Sequence, residues 1–351
     1  MLILRENALS LLKNNDIKES EVLFGIANLL RAENVGDQVC IHGIIEFSNY
    51  CRSFCAYCGI RAPNEKVKRY RMSLEEIKET ALNASDNLGY KMLVLQSGED
   101  PWYDIDKLAW LIKSIHNKSR RCLLFLSIGD RDYDTYKTLY KAGARGVLFR
   151  FETSDELLYK KLHSDSSFGE RINQLKFMRD MGYLTASGPI IGLPGQTMES
   201  LLDDIYLMKE LKVTMTSMGP FIPTSGTPLE NEIGGTADLT LKMIALTRLI
   251  YPKARIPIAT ALEKIGKNKA RIAALNGGGN AFMLNLTPPQ YRDSYAIYNG
   301  KNQLKSHIHS KESIDELSGI IKSCGRKICR GWGTDFTLNK KNFASLCNME
   351  E

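Results

Sequence analysis

The chain has 351 residues, 43% of them hydrophobic, and a formal net charge of +7. No apolar run approaches the about 18 residues of a membrane span, and the charged, amphipathic N-terminus is not a signal peptide. Lys and Arg are spread along the chain without interleaved aromatics, which does not indicate nucleic-acid binding. Eight cysteines without a secretory signal favour a reducing, cytoplasmic location, where thiols hold metal rather than form bridges.

Residues 1–35 are predicted to form two or three helices, because Leu and Ile recur there near helical spacing. We expect them to be a cap packed outside the main fold, and a solvated helical leader fits the pattern equally well. The expected organisation is this N-terminal helical cap at 1–35, a barrel at 36–300 and a C-terminal helical tail at 301–351.

From about Val39 onward, apolar strand-like runs alternate with amphipathic helical runs. Eight strands that alternate with helices predict an α/β fold whose parallel sheet closes into a (β/α)8 TIM barrel. In this architecture, functional residues lie where strands end and βα loops begin. The predicted strands are Val39–Phe47, Met92–Gln96, Leu123–Ile128, Gly146–Glu152, Ala186–Gly192, Met215–Ile222, Ile256–Ala261 and Ala281–Asn285. The predicted helices between them are Ser73–Leu88, Asp104–Asn117, Asp132–Ala142, Ser167–Met181, Met198–Leu211 and Leu239–Leu249.

Three cysteines, Cys51, Cys55 and Cys58, follow the first predicted strand. Thiolates are soft ligands that select zinc, copper(I) or iron–sulfur clusters. Their spacing also fits three buried cysteines on one helix face, but Gly59 and Pro63 argue against a helix. Disulfides would leave one thiol over, and structural zinc would need a fourth ligand from elsewhere in the chain. Three thiolates around a four-iron cubane leave one iron open, and an open iron can bind a substrate or cofactor.

The next two predicted strands also end in polar residues. After the second come Gln96, Ser97, Gly98 and Glu99, where small residues let a backbone approach a ligand and the acid can pair with an amino group. An ordinary glycine turn with a solvated acid is the alternative. After the third strand comes Ser127.

The fourth predicted strand carries two charges, Arg150 and Glu152, within an apolar run. They would be costly if buried and unpaired, so we expect them to pair with each other or with a ligand. Arg171, at the start of the following helix, is a candidate for a ligand carboxylate, with a surface salt bridge as the alternative. The seventh strand carries Thr260. The tyrosines that follow the eighth strand can close the barrel mouth or form a packed aromatic stripe. In the tail, the spacing of Cys324, Cys329 and Cys347 fits no metal signature.

The spacing of the three thiols, with an aromatic residue just before the last one, resembles the signature of radical S-adenosylmethionine (SAM) enzymes. From about Val39 to Gly300 the chain resembles one family of them, the [FeFe]-hydrogenase maturase HydE, which is related to biotin synthase and to the methylornithine synthase PylB. The segments that carry the resemblance are Ile45–Cys58, Leu95–Pro101, Arg150–Thr153, Ile191–Thr197, Gly219–Pro223 and Thr227–Leu229.

The resemblance implies a complete barrel with one [4Fe-4S] cluster on Cys51, Cys55 and Cys58, whose open iron chelates SAM. The residues implied to bind the cofactor are Tyr57, near the adenine, with Gln96, Ser97, Gly98, Glu99, Ser127, Glu152 and Arg171. The implied substrate cavity, which Gln96 also lines, contains Arg150, Thr260, Tyr295 and Tyr298.

The implied activity is reductive cleavage of SAM to a 5′-deoxyadenosyl radical during maturation of the hydrogenase H-cluster. The implied partners are a small cysteine-bound iron carbonyl cyanide substrate made by HydG, the scaffold HydF, and an electron donor such as ferredoxin or flavodoxin. The alternatives are a PylB-like or other biotin synthase-like enzyme, and a non-catalytic carrier of a cluster or synthon. The chain departs from the family pattern at Phe151, at Ala259 and at Glu263, and residues 299–307 contain none of the extra cysteines that some members carry there.

Overall fold

The computed structural model describes residues 3–301, 304 and 308–329. Its helices are α1 (Arg5–Lys13), α2 (Ile17–Val35), α3 (Leu74–Leu82), α4 (Ile105–Lys118), α5 (Tyr133–Ala142), α6 (Glu156–Leu162), α7 (Phe168–Asp180), α8 (Met198–Glu210), α9 (Ala237–Ile250), α10 (Thr260–Asn276), α11 (Pro289–Arg292) and α12 (Lys311–Ser323). Its strands are β1 (Gln38–Ser48), β2 (Met92–Ser97), β3 (Leu123–Ser127), β4 (Gly146–Leu148), β5 (Leu184–Ser187), β6 (Ile190–Ile191), β7 (Met215–Thr216), β8 (Gly219–Pro220), β9 (Ala281–Asn285) and β10 (Lys327–Cys329). A π-helical turn, Asn83–Asn87, continues α3.

Parallel pairing joins eight segments into a closed ring. The order runs from β1 through β2, β3, β4 and β5 to β7. Met215 in β7 bridges Arg255, Pro257 bridges Ala281 in β9, and β9 pairs with β1. The predicted (β/α)8 barrel is therefore confirmed, with residues 255–257 as its seventh wall segment.

Side-chain caps fix where the outer helices begin. Ser73 forms the predicted capping box with Glu76 at the start of α3. At the starts of α4, α5, α7, α8 and α9, the side-chain oxygen of the capping residue likewise accepts a hydrogen bond from a backbone N–H in the first turn. The capping residues are Asp104, Asp132, Ser167, Thr197 and Thr236. Because each of these caps ends a βα loop, the loops are held at the end of the barrel where the strands finish.

The two N-terminal helices pack on the outer helices of the barrel. Helix α1 contacts α8 and α9, and α2 contacts α9 and α10. The side chains that make these contacts are apolar and buried, among them Leu12, Leu23 and Ala27. The division of the chain into cap, barrel and tail stays a prediction. No helix in the described part of the chain combines the length and the hydropathy that crossing a membrane requires.

Several predicted elements differ from the structure. The strands predicted over residues 186–192 and 215–222 each split in two, because β6 and β8 leave the barrel wall and pair with each other. The strand predicted to reach Ala261 is wrong at its end, since α10 begins at Thr260. Helix α6 was not predicted, because its seven residues are too few for a periodic pattern. The tail is not wholly helical, since β10 pairs with the start of β1.

Candidate active site

A cavity of about 380 Å³ opens among the loops that follow the barrel strands. All fifteen residues predicted to bind the cluster, the cofactor or the substrate line this cavity. The structure therefore brings together side chains that lie as far apart in sequence as Cys51 and Tyr298. The role of each of these residues toward a particular ligand stays a prediction. Their common location was expected, because the carboxyl ends of the barrel strands lie at the same end of the barrel.

The three cysteines lie on the loop after β1. The backbone N–H of Glu99 donates to Cys51 Sγ at 3.4 Å, and His163 Nδ1 lies 3.5 Å from Cys55 Sγ. Burial raises the pKa of all three thiols, that of Cys58 to about 12. Such thiols ionise when a metal coordinates them, because a bound cation stabilises the thiolate.

Metal centres differ in how closely they gather their sulfur ligands. A tetrahedral zinc ion with Zn–S bonds of about 2.3 Å draws its sulfur ligands to within about 4 Å of one another. A four-iron cluster binds each cysteine through a different iron and so needs a wider set. In the described part of the chain, no three His, Cys, Asp or Glu side chains are already gathered closely enough to hold a single metal ion.

Two arginines hold the cysteine loop in its shape. Arg61 donates to the carbonyl oxygens of Cys55 and Phe54 at 3.0 and 3.1 Å. Arg69 donates to four more carbonyl oxygens, between Asn49 and Asn64. Each guanidinium thus satisfies several backbone acceptors in a segment without regular secondary structure. Sequence reasoning missed both residues, because nothing local marks an arginine that folds its own loop.

The loop after β2 packs directly on the cysteine loop. A Cβ on Gly98 would lie 2.2 Å from the carbonyl oxygen of Tyr50, so only glycine allows this approach. Glu99, predicted to face an amino group, accepts the N–H of Asp130 at 2.8 Å and lies 3.3 Å from Arg52 Nε. These contacts fix its carboxylate in the cavity wall.

Arg150 and Glu152 form the ion pair that the sequence predicted as one of two possibilities. Arg150 Nε lies 3.1 Å from Glu152 Oε2, but the geometry is not that of a hydrogen bond, and both buried atoms lack a hydrogen-bond partner. Glu152 has φ of 65°, an unusual backbone conformation for a side chain of this size. It is held by backbone hydrogen bonds to Gly188 and Ile190. Strain and unused hydrogen-bonding capacity at one cavity residue are typical of a ligand site.

Arg171 is buried, so the surface salt bridge considered as its alternative is wrong. Its Nη2 lies 3.1 Å from Asp130 Oδ2, its Nε donates to Tyr159 Oη at 3.0 Å, and its guanidinium lies 4.2 Å from the centre of the Phe149 ring. Burial raises the pKa of Asp130, and Arg171 opposes that rise. The pair keeps one buried cation in the cavity wall, where an anionic ligand group can reach it.

The cavity wall also contains polar residues that sequence reasoning missed. Glu46 forms an ion pair with Lys301 and accepts a hydrogen bond from Asn285 Nδ2 at 2.9 Å. Beside them, Thr260 Oγ1 and Tyr298 Oη are 2.6 Å apart. The sequence could have predicted a role for Glu46, because an acidic residue inside an apolar strand needs a partner when it is buried. The same holds for Arg150 and Glu152.

His163 is a further cavity residue that sequence reasoning missed. It follows α6, stacks on the Tyr159 ring at 4.6 Å, and places Nε2 3.2 Å from Tyr57 Oη and Nδ1 beside Cys55. Burial, helped by Arg171, lowers the pKa of His163 to about 3, so the ring is neutral at physiological pH. A neutral imidazole can donate from one nitrogen and accept at the other, so His163 joins a cysteine to the tyrosine predicted to lie near the adenine.

Comparison with known proteins decides the family. Residues 45–207 match the model of the Radical SAM superfamily. HydE of Thermotoga maritima is 42% identical over 94% of this chain and 93% of that protein. The chain belongs to the radical SAM superfamily. The resemblance to HydE predicted from its motifs is thereby confirmed.

Other radical SAM proteins are also similar. The 3-methylornithine synthase of Methanosarcina acetivorans is 34% identical over 77% of this chain and 76% of that protein. The crystal structure of methylornithine synthase PylB superimposes with a TM-score of 0.82 at 26% identity, covering 99% of this chain and 97% of that one. HydG from Carboxydothermus hydrogenoformans, at 20% identity and a TM-score of 0.81 over 98% of this chain and 79% of that one, shares the fold.

As a radical SAM enzyme, the protein uses a [4Fe-4S] cluster and SAM. The residues present fit both groups. Three thiols from one loop line the cavity, and so do Arg150 and Glu152, each with a buried atom that lacks a hydrogen-bond partner. Gly98 lets the loop after β2 approach Tyr50 and Cys51 closely, which brings its backbone next to the thiols.

Proposed function

We propose that the protein acts in the maturation of [FeFe]-hydrogenase, as a HydE-type enzyme that cleaves SAM reductively. The observation that carries the proposal is the placement of Cys51, Cys55 and Cys58 in a closed barrel whose sequence is 42% identical to HydE over nearly its whole length. When bound, the cluster supplies the electron for reductive cleavage of SAM, and SAM supplies the 5′-deoxyadenosyl radical.

The protein's own residues hold and orient these groups. Cys51, Cys55 and Cys58 hold the cluster, and backbone and His163 contacts fix two of the sulfurs. The edge of the second loop, at Ser97 and Gly98, receives the amino-acid part of SAM. The remaining cofactor-binding set is Tyr57, Gln96, Glu99, Ser127, Glu152 and Arg171. Because a primary carbon radical reacts with almost any C–H bond nearby, the barrel wall must also exclude water and stray groups.

The substrate side of the cavity suits a small ligand with one anionic group and further polar groups. Arg150 offers a cation, and Thr260, Tyr295 and Tyr298 offer hydroxyl groups. These groups suit the cysteine part of an iron carbonyl cyanide substrate, whose carboxylate needs a cation and whose amino group needs hydrogen-bond acceptors. A HydG-like protein would be the source of that substrate, and a HydF-like protein would be the destination of the product. A ferredoxin or flavodoxin would supply the electron to the enzyme's cluster. Three thiols that must stay reduced to hold a cluster support a cytoplasmic location.

One alternative has a specific observation in its favour. The similarity to methylornithine synthase, in sequence and in fold, supports a PylB-like enzyme that acts on an amino acid. A non-catalytic carrier of a cluster or synthon would use the same barrel without cleaving SAM.

Two experiments separate these functions. Anaerobic incubation with dithionite and SAM, followed by chromatography for 5′-deoxyadenosine, should give product from the wild type; its absence would leave the carrier. Reconstitution with HydG, HydF and a hydrogenase lacking its di-iron unit should then restore hydrogen evolution. Conversion of lysine to methylornithine without any effect on the hydrogenase would instead establish the PylB-like function.

A further inference from the structure

Basic residues are concentrated in the segment that carries the cysteines. Residues 50–71 contain six Lys or Arg residues and one acid, Glu65, a net charge of +5 in a chain whose total is +7. Positive charge is therefore densest around the predicted cluster. The question is which of these charges are balanced by carboxylates and which face solvent.

Two of the six are balanced. Arg52 Nε lies 3.3 Å from Glu99 Oε2, and Arg71 makes two contacts with buried Asp100, at 2.7 and 3.0 Å. Because the opposite charges in each pair largely cancel, these pairs contribute little to the electrostatic potential outside the protein.

The other four basic residues lack such partners. Arg61 and Arg69 donate to the loop's own carbonyl oxygens, which leaves their charges uncompensated. Lys66 and Lys68 are exposed. Within the described residues, no carboxylate lies within 4.0 Å of any of the four. The segment therefore keeps a net positive charge, although Asp165 Oδ2 accepts the N–H of Phe54 at 3.2 Å.

The cysteine loop and the loop after β2 also expose aromatic side chains. Tyr50 is 37% exposed, Phe54 46% and Trp102 42%, and the first two are neighbours in sequence of Cys51 and Cys55. The guanidinium of Arg71 lies 3.8 Å from the centre of the Tyr50 ring and 5.9 Å from that of Trp102.

Hydrogen bonds tie the backbone around the two lysines to the cysteine loop and to the end of β1. The N–H of Ala62 donates to the carbonyl oxygen of Ser53 at 2.9 Å, and Asn49 Nδ2 donates to that of Lys68 at 2.8 Å. We call the resulting surface the cysteine-loop face; it comprises Tyr50, Phe54, Lys66, Lys68 and Trp102.

We propose that the cysteine-loop face is the docking surface for an acidic, one-electron carrier protein. The inference deepens the proposed function, because a cluster on Cys51, Cys55 and Cys58 needs one electron for each SAM cleaved. Electron transfer slows steeply with distance, so a donor must dock on the wall between the cluster and solvent. A basic, partly aromatic surface suits brief association with an acidic partner, whose encounter is steered by charge. Redox encounters typically bury less than about 1,200 Å², an area that one loop and its neighbours can supply.

The test compares two sources of electrons in Lys66→Glu/Lys68→Glu and in the control variant Lys113→Glu/Lys176→Glu. The control changes the net charge equally, at two exposed positions on α4 and α7. With a flavodoxin, its reductase and NADPH at low ionic strength, we expect the first variant to form 5′-deoxyadenosine at least about tenfold more slowly than wild type. The control should stay within about twofold, and with dithionite all three proteins should match. Raising the salt concentration should slow flavodoxin-driven 5′-deoxyadenosine formation by the wild type. It should also reduce the difference in rate between the wild type and Lys66→Glu/Lys68→Glu.

Titration calorimetry of the cluster-loaded proteins with the flavodoxin should show the same order of affinities. This arm keeps the docking claim testable even if no SAM is cleaved, an outcome that would overturn the proposed function alone. Equal rates and affinities in both charge variants would overturn the docking surface. So would a Lys66→Glu/Lys68→Glu protein that loses binding to poly(U) RNA or anionic vesicles but keeps its affinity for flavodoxin.

Discussion

Replacing Arg171 with Met separates ligand binding from stability, and the structure gives both magnitudes. The substitution leaves Asp130, whose side chain is only 27% exposed, without its cation, and it removes the hydrogen bond to Tyr159. Breaking a buried ion pair costs about 3–5 kcal/mol, and the partial exposure of Asp130 reduces this to about 2–3 kcal/mol. At about 2.1 cal/mol/K per residue, a chain of 351 residues should lose about 3–4 °C in Tm.

The effect on SAM should be a separate loss of similar size, because a modest loss of stability leaves the protein folded. A charged hydrogen bond to a carboxylate is worth about 1.5–3 kcal/mol, so we expect Kd for SAM to rise by about 10- to 150-fold. Thermal unfolding of the cluster-free, reduced protein and calorimetry of SAM on the loaded protein measure the two effects. Arg179→Met on the same helix breaks only an exposed contact with Asp180 and should shift Tm by less than about 1 °C.

The double variant Arg171→Met/Asp130→Asn provides the refutation. Removing the unpaired charge should restore most of the lost Tm while SAM affinity stays low. If affinity recovers together with Tm, Arg171 acts through the fold and not on SAM. If Tm does not recover, the ion-pair reasoning is wrong.

The Tm deficit of Arg171→Met should also depend on pH. Burial raises the pKa of Asp130, and the rise is larger without the cation that opposes it. A carboxyl whose pKa is raised on folding binds its proton more tightly in the folded state, so stability falls as pH rises through that range. The deficit relative to wild type should therefore shrink when pH is lowered from 7 to 5. A deficit that does not change with pH would contradict this assignment.

Cys55→Ala should lose the cluster's iron and sulfide and all SAM cleavage, whereas Cys324→Ala should keep both; cleavage by the first variant would reject the cluster assignment. His163→Leu should lower the cluster's reduction potential by about 40 mV, the one-electron equivalent of one hydrogen bond of about 1 kcal/mol to sulfur; an unchanged potential in a spectroscopic redox titration would contradict that contact. Gly59→Ala should destabilise the protein by about 1–3 kcal/mol, because its Cβ would meet a backbone oxygen at 2.1 Å. Gly25→Ala, in open space on α2, should raise Tm slightly, and equal behaviour of the two glycine variants would refute the packing argument.

The predictable part of the site follows from two rules that act over short stretches of sequence. Thiol spacing identified Cys51 and its two neighbours, and the barrel rule placed Gln96, Ser127 and Arg150 beside them because each ends or follows a parallel strand. The strand pattern also gave β1, β2, β3 and β9 to within a residue or so, since each is a continuous apolar run.

The rest depends on contacts between distant parts of the chain. His163 reaches Cys55 only because α6 packs across the barrel mouth, and Lys301 finds Glu46 across 255 positions. Contacts between residues so far apart produce no repeating pattern in the nearby sequence, so they cannot be predicted from it. The strand predicted to reach Ala261 was overturned for the same reason, because tertiary bridges, and not the apolar run itself, determine where the seventh wall segment ends.

The pairing of β10 with the first residues of β1 has a consequence for biosynthesis. A nascent chain emerges from the ribosome beginning with its N-terminus, so β1 and the cysteine loop are exposed long before residues 327–329 are made. Until then, the leading end of β1 has an open edge on that side, and Arg326 cannot reach its carbonyl partners at Leu275 and Gly279. The start of β1 therefore gains its second neighbouring strand only after residues 327–329 have been made, so the first strand of the barrel is among the last to be fully paired.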